Sequence, residues 1–144
     1  MKHAHVTTDG GTTGRPGPAA GVGHLVGSQR VLIVEDDAVT RGALFALFVH
    51  EGWDVVVTRT LAGGMALLAP PPDCVVLDLT LPDGDGEAIL REIRRRNLPT
   101  CVVICTGTEE PERIDALECL APQAVLTKPI RFEDILEAYR LNGR

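Results

Sequence analysis

Short apolar runs alternate with longer amphipathic segments from residue 30 onward. The runs are rich in valine, isoleucine and leucine, as are strands buried on both faces of a sheet. They cover residues 31–34, 54–58, 74–77, 101–105 and 124–127. Five such strands in strict alternation with five helical segments predict an α/β fold, a parallel sheet with helices on both faces.

The helical segments are marked by apolar residues at helical spacing. We expect the first helix to end at Gly52, and a short second helix, from about 60 to 69, to stop at prolines 70–72. Pro111 predicts the start of the fourth helix. The arginines at the end of the third helix, 94–96, suit the negative end of its dipole. The predicted apolar faces of helices one, three, four and five are Leu44, Leu47 and Phe48; Ile89, Leu90 and Ile93; Ile114, Leu117 and Leu120; and Phe132, Ile135, Leu136 and Tyr139.

Residues 1–29 differ from the rest in composition. They are rich in glycine and contain few large apolar side chains, so they cannot offset the entropy of ordering. The sequence therefore predicts a disordered N-terminal segment, 1–29, followed by one domain, 30–144. An aromatic share of 3% indicates that the core of this domain is aliphatic.

Charge and cysteine content exclude several classes of protein. A net charge of −6 and a pI near 5.1 argue against direct binding to nucleic acid. Neither a signal peptide nor a run long enough to span a membrane is evident, so we expect a cytoplasmic protein with no membrane insertion. The four cysteines include no CxxC pair, and we interpret them as buried thiols in a reducing compartment.

Polar side chains stand at the ends of four predicted strands. Glu35 and Asp36 follow the first, Asp78 ends the third, Thr106 follows the fourth, and Lys128 follows the fifth. The carboxyl ends of parallel strands gather at one edge of a sheet, so these groups should converge. Each pair of carboxylates about 5 Å apart would cost roughly 3 kcal/mol, which calls for a counter-charge.

The chemistry of this set favours phosphoryl transfer. All-oxygen ligands prefer Mg²⁺, or Mn²⁺, over zinc. A carboxylate beside such an ion and Lys128 can attack phosphorus and form an aspartyl-phosphate, while Thr106 donates a hydrogen bond to a phosphoryl oxygen. Taken singly, each of these residues is unremarkable, because a lone acid at a strand end is usually a helix cap. Their joint occurrence at successive strand ends carries the prediction.

The complete motif set resembles the response regulator receiver domain of bacterial two-component signalling. The resemblance covers residues 30–143 and rests on motifs at each strand end: Val34-Glu35-Asp36-Asp37 with Arg41, Gly52-Trp53-Asp54-Val55, Asp78-Leu79-Thr80-Leu81-Pro82-Asp83-Gly84-Asp85-Gly86, Thr106-Gly107 and Lys128-Pro129. It implies a doubly wound, flavodoxin-like sheet of strand order 2-1-3-4-5. It also implies that Asp78 is the phosphoacceptor, which a sensor histidine kinase or a phosphotransfer protein phosphorylates.

The resemblance assigns the remaining site residues. It implies that Asp36 binds Mg²⁺ directly, that Glu35 does so through water, and that Asp78 and the backbone carbonyl of Thr80 are further ligands. Thr106 would be the switch hydroxyl and Lys128 the phosphate-pairing lysine, followed by a cis peptide bond.

The sequence departs from the family pattern at two places near the predicted fourth helix and fifth strand. Val125 stands where the family usually has tyrosine or phenylalanine as a rotameric switch. Residues 120–122, Leu-Ala-Pro, replace a common Ala-Gly-Ala. Both places lie in the region that normally reports phosphorylation to partners.

We expect a signalling domain, a monomer or weak homodimer, that is read by an unknown downstream protein and is not a turnover enzyme. One alternative is a binding module of the same fold that is never phosphorylated, which Val125 favours. Another is a Mg²⁺-dependent phosphatase of the haloacid-dehalogenase type. That class has a second acid two residues after the nucleophile, where this chain has Thr80.

Overall fold

A five-stranded parallel sheet forms the centre of the molecule. The computed structural model describes residues 28–107 and 110–141, and the backbone of two short paired strands, Thr7–Thr8 and Gly11–Thr12. The remainder of segment 1–27 lies outside the described residues, so its predicted disorder and the domain division stay predictions. The strands of the sheet are Arg30–Val34 (β1), Asp54–Thr58 (β2), Cys74–Asp78 (β3), Cys101–Thr106 (β4) and Ala124–Thr127 (β5).

Five helices connect and cover these strands. A further hairpin pairs Thr80–Leu81 with Gly84–Asp85 directly after β3. No helix within the described ranges combines the length and the apolar character needed to cross a bilayer. The helices are Ala38–His50 (α1), Leu61–Ala66 (α2), Glu87–Arg95 (α3), Pro111–Glu118 (α4) and Phe132–Arg140 (α5).

The strand order is β2-β1-β3-β4-β5, and every neighbouring pair is parallel. This confirms the predicted fold class and order. The order reverses between β1 and β3, whose carboxyl ends flank the switch point where ligands bind in open α/β sheets. Asp78, at the end of β3, faces Cys105 of β4 across this part of the sheet.

Side chains of alternate strand residues point to opposite faces of the sheet and contribute to two apolar layers. The first layer lies under α1 and α5 and contains Phe48, Trp53 and Tyr139, whose rings pack edge to face. The second layer lies under the other three helices and is wholly aliphatic, with Ile89 and Ile93 completely buried. The aliphatic core inferred from composition is therefore right for one layer only, because the few aromatic residues are concentrated in the other.

Helix boundaries follow local capping. The Asp37 side chain accepts from the Thr40 amide (2.9 Å) and begins α1, and Gly52, with a φ of 93°, follows its end. The second helix is shorter than predicted. Thr60 is its extended N-cap, and the helix ends at Ala66 after the pair Gly63–Gly64, which lowers its helix propensity. Gly64 also packs so tightly that an added Cβ would lie 2.5 Å from Ile89.

Two surface expectations need correction, and a third needs an addition. Leu47 was placed on the apolar face of α1, but it is 42% exposed, whereas Leu44 and Phe48 are buried. Cys119 is exposed, while the other cysteines are buried as expected. The arginines of α3 do more than match the helix dipole, because Arg94 donates to carbonyls at the end of α4, and the next two pair with Glu92.

Candidate functional site

The carboxyl edge of the sheet brings the predicted side chains together. Glu35 follows β1, Asp78 is the last residue of β3, Thr106 is the last residue of β4, and Lys128 follows β5. The first three are buried, and the Lys128 side chain is partly exposed. The backbone amide of Lys128 donates to the carbonyl of Thr106 over 2.8 Å, which fixes the ends of β4 and β5 side by side.

Three carboxylates form a compact cluster. One oxygen each from Glu35, Asp36 and Asp78 lies within 4.8 Å of the others. An octahedral Mg²⁺ with bonds of about 2.1 Å holds opposite ligands about 4.2 Å apart, a span comparable with this limit. Three carboxylate oxygens this close together suit a hard divalent cation.

Lys128 bridges the two buried acids. Its Nζ lies 3.2 Å from Oε1 of Glu35 and 3.5 Å from Oδ2 of Asp78. Burial disfavours the charged ammonium, but the two carboxylates outweigh that effect and raise the pKa of Lys128. The ammonium therefore stays charged at neutral pH, and the peptide bond to Pro129 is cis, as the resemblance implied.

Glu35 is the group whose protonation the site alters most clearly. Burial, and next a hydrogen bond shared with Asp78, raise its pKa from 4.5 to about 7. The amide of Asp37, which donates to Oε2 over 3.1 Å, and Lys128 act in the opposite direction. Without a cation, Glu35 is thus about half protonated at neutral pH.

The loop between β1 and α1 separates the roles of its three acids. The carboxylate of Asp37 is engaged by the amide and hydroxyl of Thr40, which lower its pKa. Arg41 donates to the backbone carbonyls of Glu35 (2.9 Å) and Asp36 (3.1 Å) and fixes the turn. Asp37 is therefore the helix cap, and Glu35 and Asp36 are left to face Asp78.

The segment after β3 folds back tightly on Asp78. The Thr80 amide donates to Oδ1 of Asp78 over 3.2 Å. The assignment of the Thr80 carbonyl as a metal ligand stays a prediction. A Cβ on Gly86 would collide with the carbonyl oxygen of Asp78, so only glycine allows this approach.

Two concave surfaces adjoin the site. A cavity of about 410 Å³ has a polar lining that includes Thr80, Asp85, Thr106, Glu110 and Arg113. An apolar groove of about 570 Å³ runs from Glu35 and Lys128 along α1. Its apolar lining is Val39, Ala43, Leu44, Leu47, Pro129, Ile130 and Phe132.

Sequence reasoning missed Gly86, Arg113 and the groove. Gly86 was interpreted only as part of a turn, although the pattern Asp-Gly-Asp-Gly directly after Asp78 signals a close backbone approach. Arg113 carries no sequence signal, since its partners are distant in the chain. Helical periodicity alone does not show whether Val39, which is 80% exposed, and Leu47 are buried or exposed.

Comparison with known proteins identifies the family. The model of the response regulator receiver domain matches residues 31–140. This chain belongs to the response regulator receiver domain family. The receiver domain is 33% identical over 109 residues to the TorCAD operon transcriptional regulatory protein TorR of Escherichia coli O157:H7, covering 75% of this chain and 47% of that protein. It is 34% identical over 112 residues to the KDP operon transcriptional regulatory protein KdpE of Escherichia coli K12, covering 77% and 49%.

Solved structures agree in fold. A CheY-like receiver domain protein from Methanospirillum hungatei JF-1 superposes with a TM-score of 0.72 at 23% identity, over 79% of this chain and 92% of that one. The non-phosphorylated HemR receiver domain from Leptospira biflexa gives 0.72 at 24%, over 80% and 94%. This chain spans about half the length of the curated relatives it matches.

Proposed function

We propose that this receiver domain accepts a phosphoryl group on Asp78 and signals by contact with another protein. One observation carries the proposal: the Lys128 ammonium bridges Glu35 and Asp78 inside a cluster of three carboxylates. A cation fixed beside a buried carboxylate can neutralise the charge on the phosphoryl oxygens while that carboxylate attacks phosphorus.

Each residue has a distinct role in the proposed transfer. An Oδ atom of Asp78 attacks phosphorus, and the bond from phosphorus to the donor nitrogen breaks with its electron pair left on that nitrogen. Lys128 then pairs with the phosphoryl oxygens, and the Thr106 hydroxyl donates to one of them. Glu35, Asp36, Asp78 and the Thr80 carbonyl are the proposed holders of Mg²⁺, or Mn²⁺. When bound, this cation neutralises charge on the transferring oxygens.

The donor is proposed to be a phosphohistidine on a sensor kinase or a phosphotransfer protein. The apolar groove supports this proposal because it ends at Glu35 and Lys128, beside the phosphoacceptor. A groove lined by exposed Val39 and Leu47 is suited to the apolar face of a helix. A partner helix seated there would present its histidine close to Asp78.

Phosphorylation would be a signal and not a step in a turnover cycle. The phosphoryl group adds about −1.5 to −2 charges, which a two-state segment near Thr106 can convert into an altered surface. The proposed readers are proteins of the cytoplasm, met by a monomer or weak homodimer. Direct contact with nucleic acid is disfavoured by the net charge of −6.

The test is intact-mass spectrometry after incubation with acetyl phosphate, with and without Mg²⁺. We expect a Mg²⁺-dependent gain of about 80 Da in the wild type and none in Asp78→Asn. Asp83→Asn is the matched control and should label normally. It removes a charge from the same loop but keeps an oxygen for the amides of Leu61 and Ala62, which donate to Asp83. Labelling of Asp78→Asn would overturn the assignment of the acceptor.

A chain that does not label requires one further measurement. Beryllium fluoride, which mimics the phosphoryl group, tests whether a short-lived adduct escaped detection. If it also fails to bind, the phosphoacceptor function is wrong, and a binding module that is never phosphorylated replaces it.

A further inference from the structure

The two edges of the sheet differ in burial. All five residues of β2, at one edge, are buried, with Val55 0% and Val57 7% exposed. At the other edge, β5 is partly exposed from Ala124 to Leu126, and Thr127 is exposed. An edge strand has a neighbouring strand on one side only, so helices can cover its faces but not the backbone groups along its free side. A further part of the chain therefore lies beside β2.

The backbone of β2 directs alternate residues toward that free side. The amide of Asp54 and the carbonyl of Thr58 bond to the residues just before and just after β1, over 2.8 and 3.0 Å. Successive residues of a strand point their backbone groups to opposite sides, so those of Val55 and Val57 point away from β1. Because buried backbone groups are rarely left unpaired, these groups need partners outside the parallel sheet.

An N-terminal hairpin lies against β2. It consists of the antiparallel strands Thr7–Thr8 and Gly11–Thr12, and Cα atoms of Thr7–Thr8 approach those of β2 within 8 Å. The two residues between these strands are Asp9 and Gly10. The dipeptide Asp-Gly favours a two-residue hairpin turn, because such a turn needs positive φ values. A local turn signal thus accompanies the segment that lies beside β2.

The other surroundings of β2 are already occupied. β1 pairs along its opposite side. One face carries Val55 and Val57 into the apolar layer under α1, and the other face carries Val56 into the second layer. The free side is therefore the place left for the hairpin.

The composition of β2 explains why its free side needs a cover. Its centre is three consecutive valines, whose branched side chains favour strands, and an uncharged edge of this kind is a template for pairing with another chain. Two copies joined antiparallel about Val56 would set Val55 opposite Val57 of the second copy, so that each outward amide meets an outward carbonyl. The same register sets Asp54 opposite Thr58 of the second copy and keeps like charges apart.

We propose that the N-terminal hairpin covers the free side of β2, and that this side, when uncovered, pairs with the same strand of a second copy. The hairpin is the occupant of the edge in the protein as it stands. The proposal concerns the unmodified protein and does not depend on the phosphoacceptor function of Asp78.

Residue-resolved amide hydrogen exchange tests the cover. Gly10→Val should open the hairpin, because a β-branched residue is disfavoured at positive φ. The amides of Val55 and Val57 should then exchange about tenfold faster or more. Thr8→Pro, which removes a backbone donor from the hairpin, should act in the same direction. Gly14→Val, the same glycine substitution beyond the hairpin, is the matched control and should leave both amides unchanged.

An internal reference shows whether the sheet stays intact. Val103 lies in β4, which has a neighbouring strand on each side. Its amide should remain protected in all three variants, so that faster exchange at Val55 and Val57 reports the edge and not general unfolding.

Sedimentation velocity at several concentrations tests the pairing. Gly10→Val should shift toward the dimer at concentrations at which Gly14→Val keeps the mass of the wild type. Exchange at Val55 and Val57 that is the same in Gly10→Val, Thr8→Pro and Gly14→Val would overturn the cover. Faster exchange without this shift in mass would overturn the pairing with a second copy. Protection in the wild type that disappears on dilution would show that a second copy already covers the edge, and would overturn the assignment of the hairpin.

Discussion

Gly86 determines how closely the chain approaches the backbone carbonyl of Asp78. An added Cβ would collide with the Asp78 carbonyl oxygen and lie 3.0 Å from Leu77 and 3.1 Å from Leu79. Backbone atoms cannot yield as a flexible side chain does. We therefore expect Gly86→Ala to lower the free energy of unfolding by about 1–3 kcal/mol, measured by urea denaturation, and to slow labelling of Asp78.

Gly42 offers the control for this substitution. It lies within α1 and is exposed, and an added Cβ would meet nothing within 4 Å. Gly42→Ala should raise the free energy of unfolding by about 0.5–1 kcal/mol, since alanine favours the helix. If both variants shift stability in the same direction, the close approach at Gly86 does not have the proposed effect.

Glu35 should make the metal-free protein less stable as the pH rises. Its pKa is about 7 in the folded protein and 4.5 ordinarily, so the folded state binds more protons between these values. The stability that this carboxyl contributes is complete below about pH 4.5 and is lost as the pH rises through 7. Glu35→Gln removes this titration. In EDTA, the free energy of unfolding of the variant should therefore rise relative to that of the wild type by about 2 kcal/mol from pH 5 to pH 8.

The measurement is the urea midpoint of both proteins at each pH. Comparing the two proteins cancels every other titrating group that the substitution leaves undisturbed. A difference that stays constant from pH 5 to pH 8 would mean that the burial of Glu35 does not alter its protonation.

At the scale of elements, α1 carries an exposed apolar surface. Val39 and Leu47 are exposed along the groove that leads to Lys128. For any histidine kinase that labels the wild type, Val39→Glu should slow phosphotransfer about tenfold or more, since it places a charge in an apolar contact. Labelling by acetyl phosphate, which needs no docking, should be unchanged.

Leu141 is the matched control for the groove. It is 78% exposed, follows α5 and does not line the groove. Leu141→Glu should therefore leave transfer from the same kinase unaltered. Equal rates for Val39→Glu and the wild type would show that the kinase docks elsewhere.

Helices were harder to predict than strands for a physical reason. A strand buried on both faces reads as an unbroken apolar run, so β1 and β3 were found within a residue of their bounds. A helix shows only a periodicity, which does not say how wide the buried stripe is. Leu47 fits the apolar spacing but lies at its edge, and the end of α2 depends on Gly63 and on packing that no local pattern contains.

At the scale of the molecule, topology made the candidate site predictable. Once the strands are parallel and ordered, residues distant in sequence must meet at one edge, which placed Glu35, Asp78 and Lys128 together in advance. Contacts that depend on the exact placement of helices could not be predicted from the sequence. Arg113 and Glu87 lie on different helices, and only the packed structure shows that they touch.

Cation binding at the acidic cluster should stabilise the whole fold. A ligand that binds only the folded state adds about 2.7 kcal/mol when its concentration is about one hundred times Kd. The wild type should therefore show a Tm that rises with Mg²⁺ concentration. Asp36→Asn should abolish most of this rise, although it relieves repulsion within the cluster and so should not destabilise the metal-free protein.

Asp37→Asn distinguishes a bound cation from a general effect of charge. It removes the same unit of charge one residue away, and asparagine remains a good N-cap for α1. The rise in Tm with Mg²⁺ should persist in Asp37→Asn and disappear in Asp36→Asn, in a buffer whose ionic strength is held constant with NaCl. If the two variants respond equally, Mg²⁺ acts elsewhere on this acidic protein, whose net charge is −6, and the cluster is not a cation site.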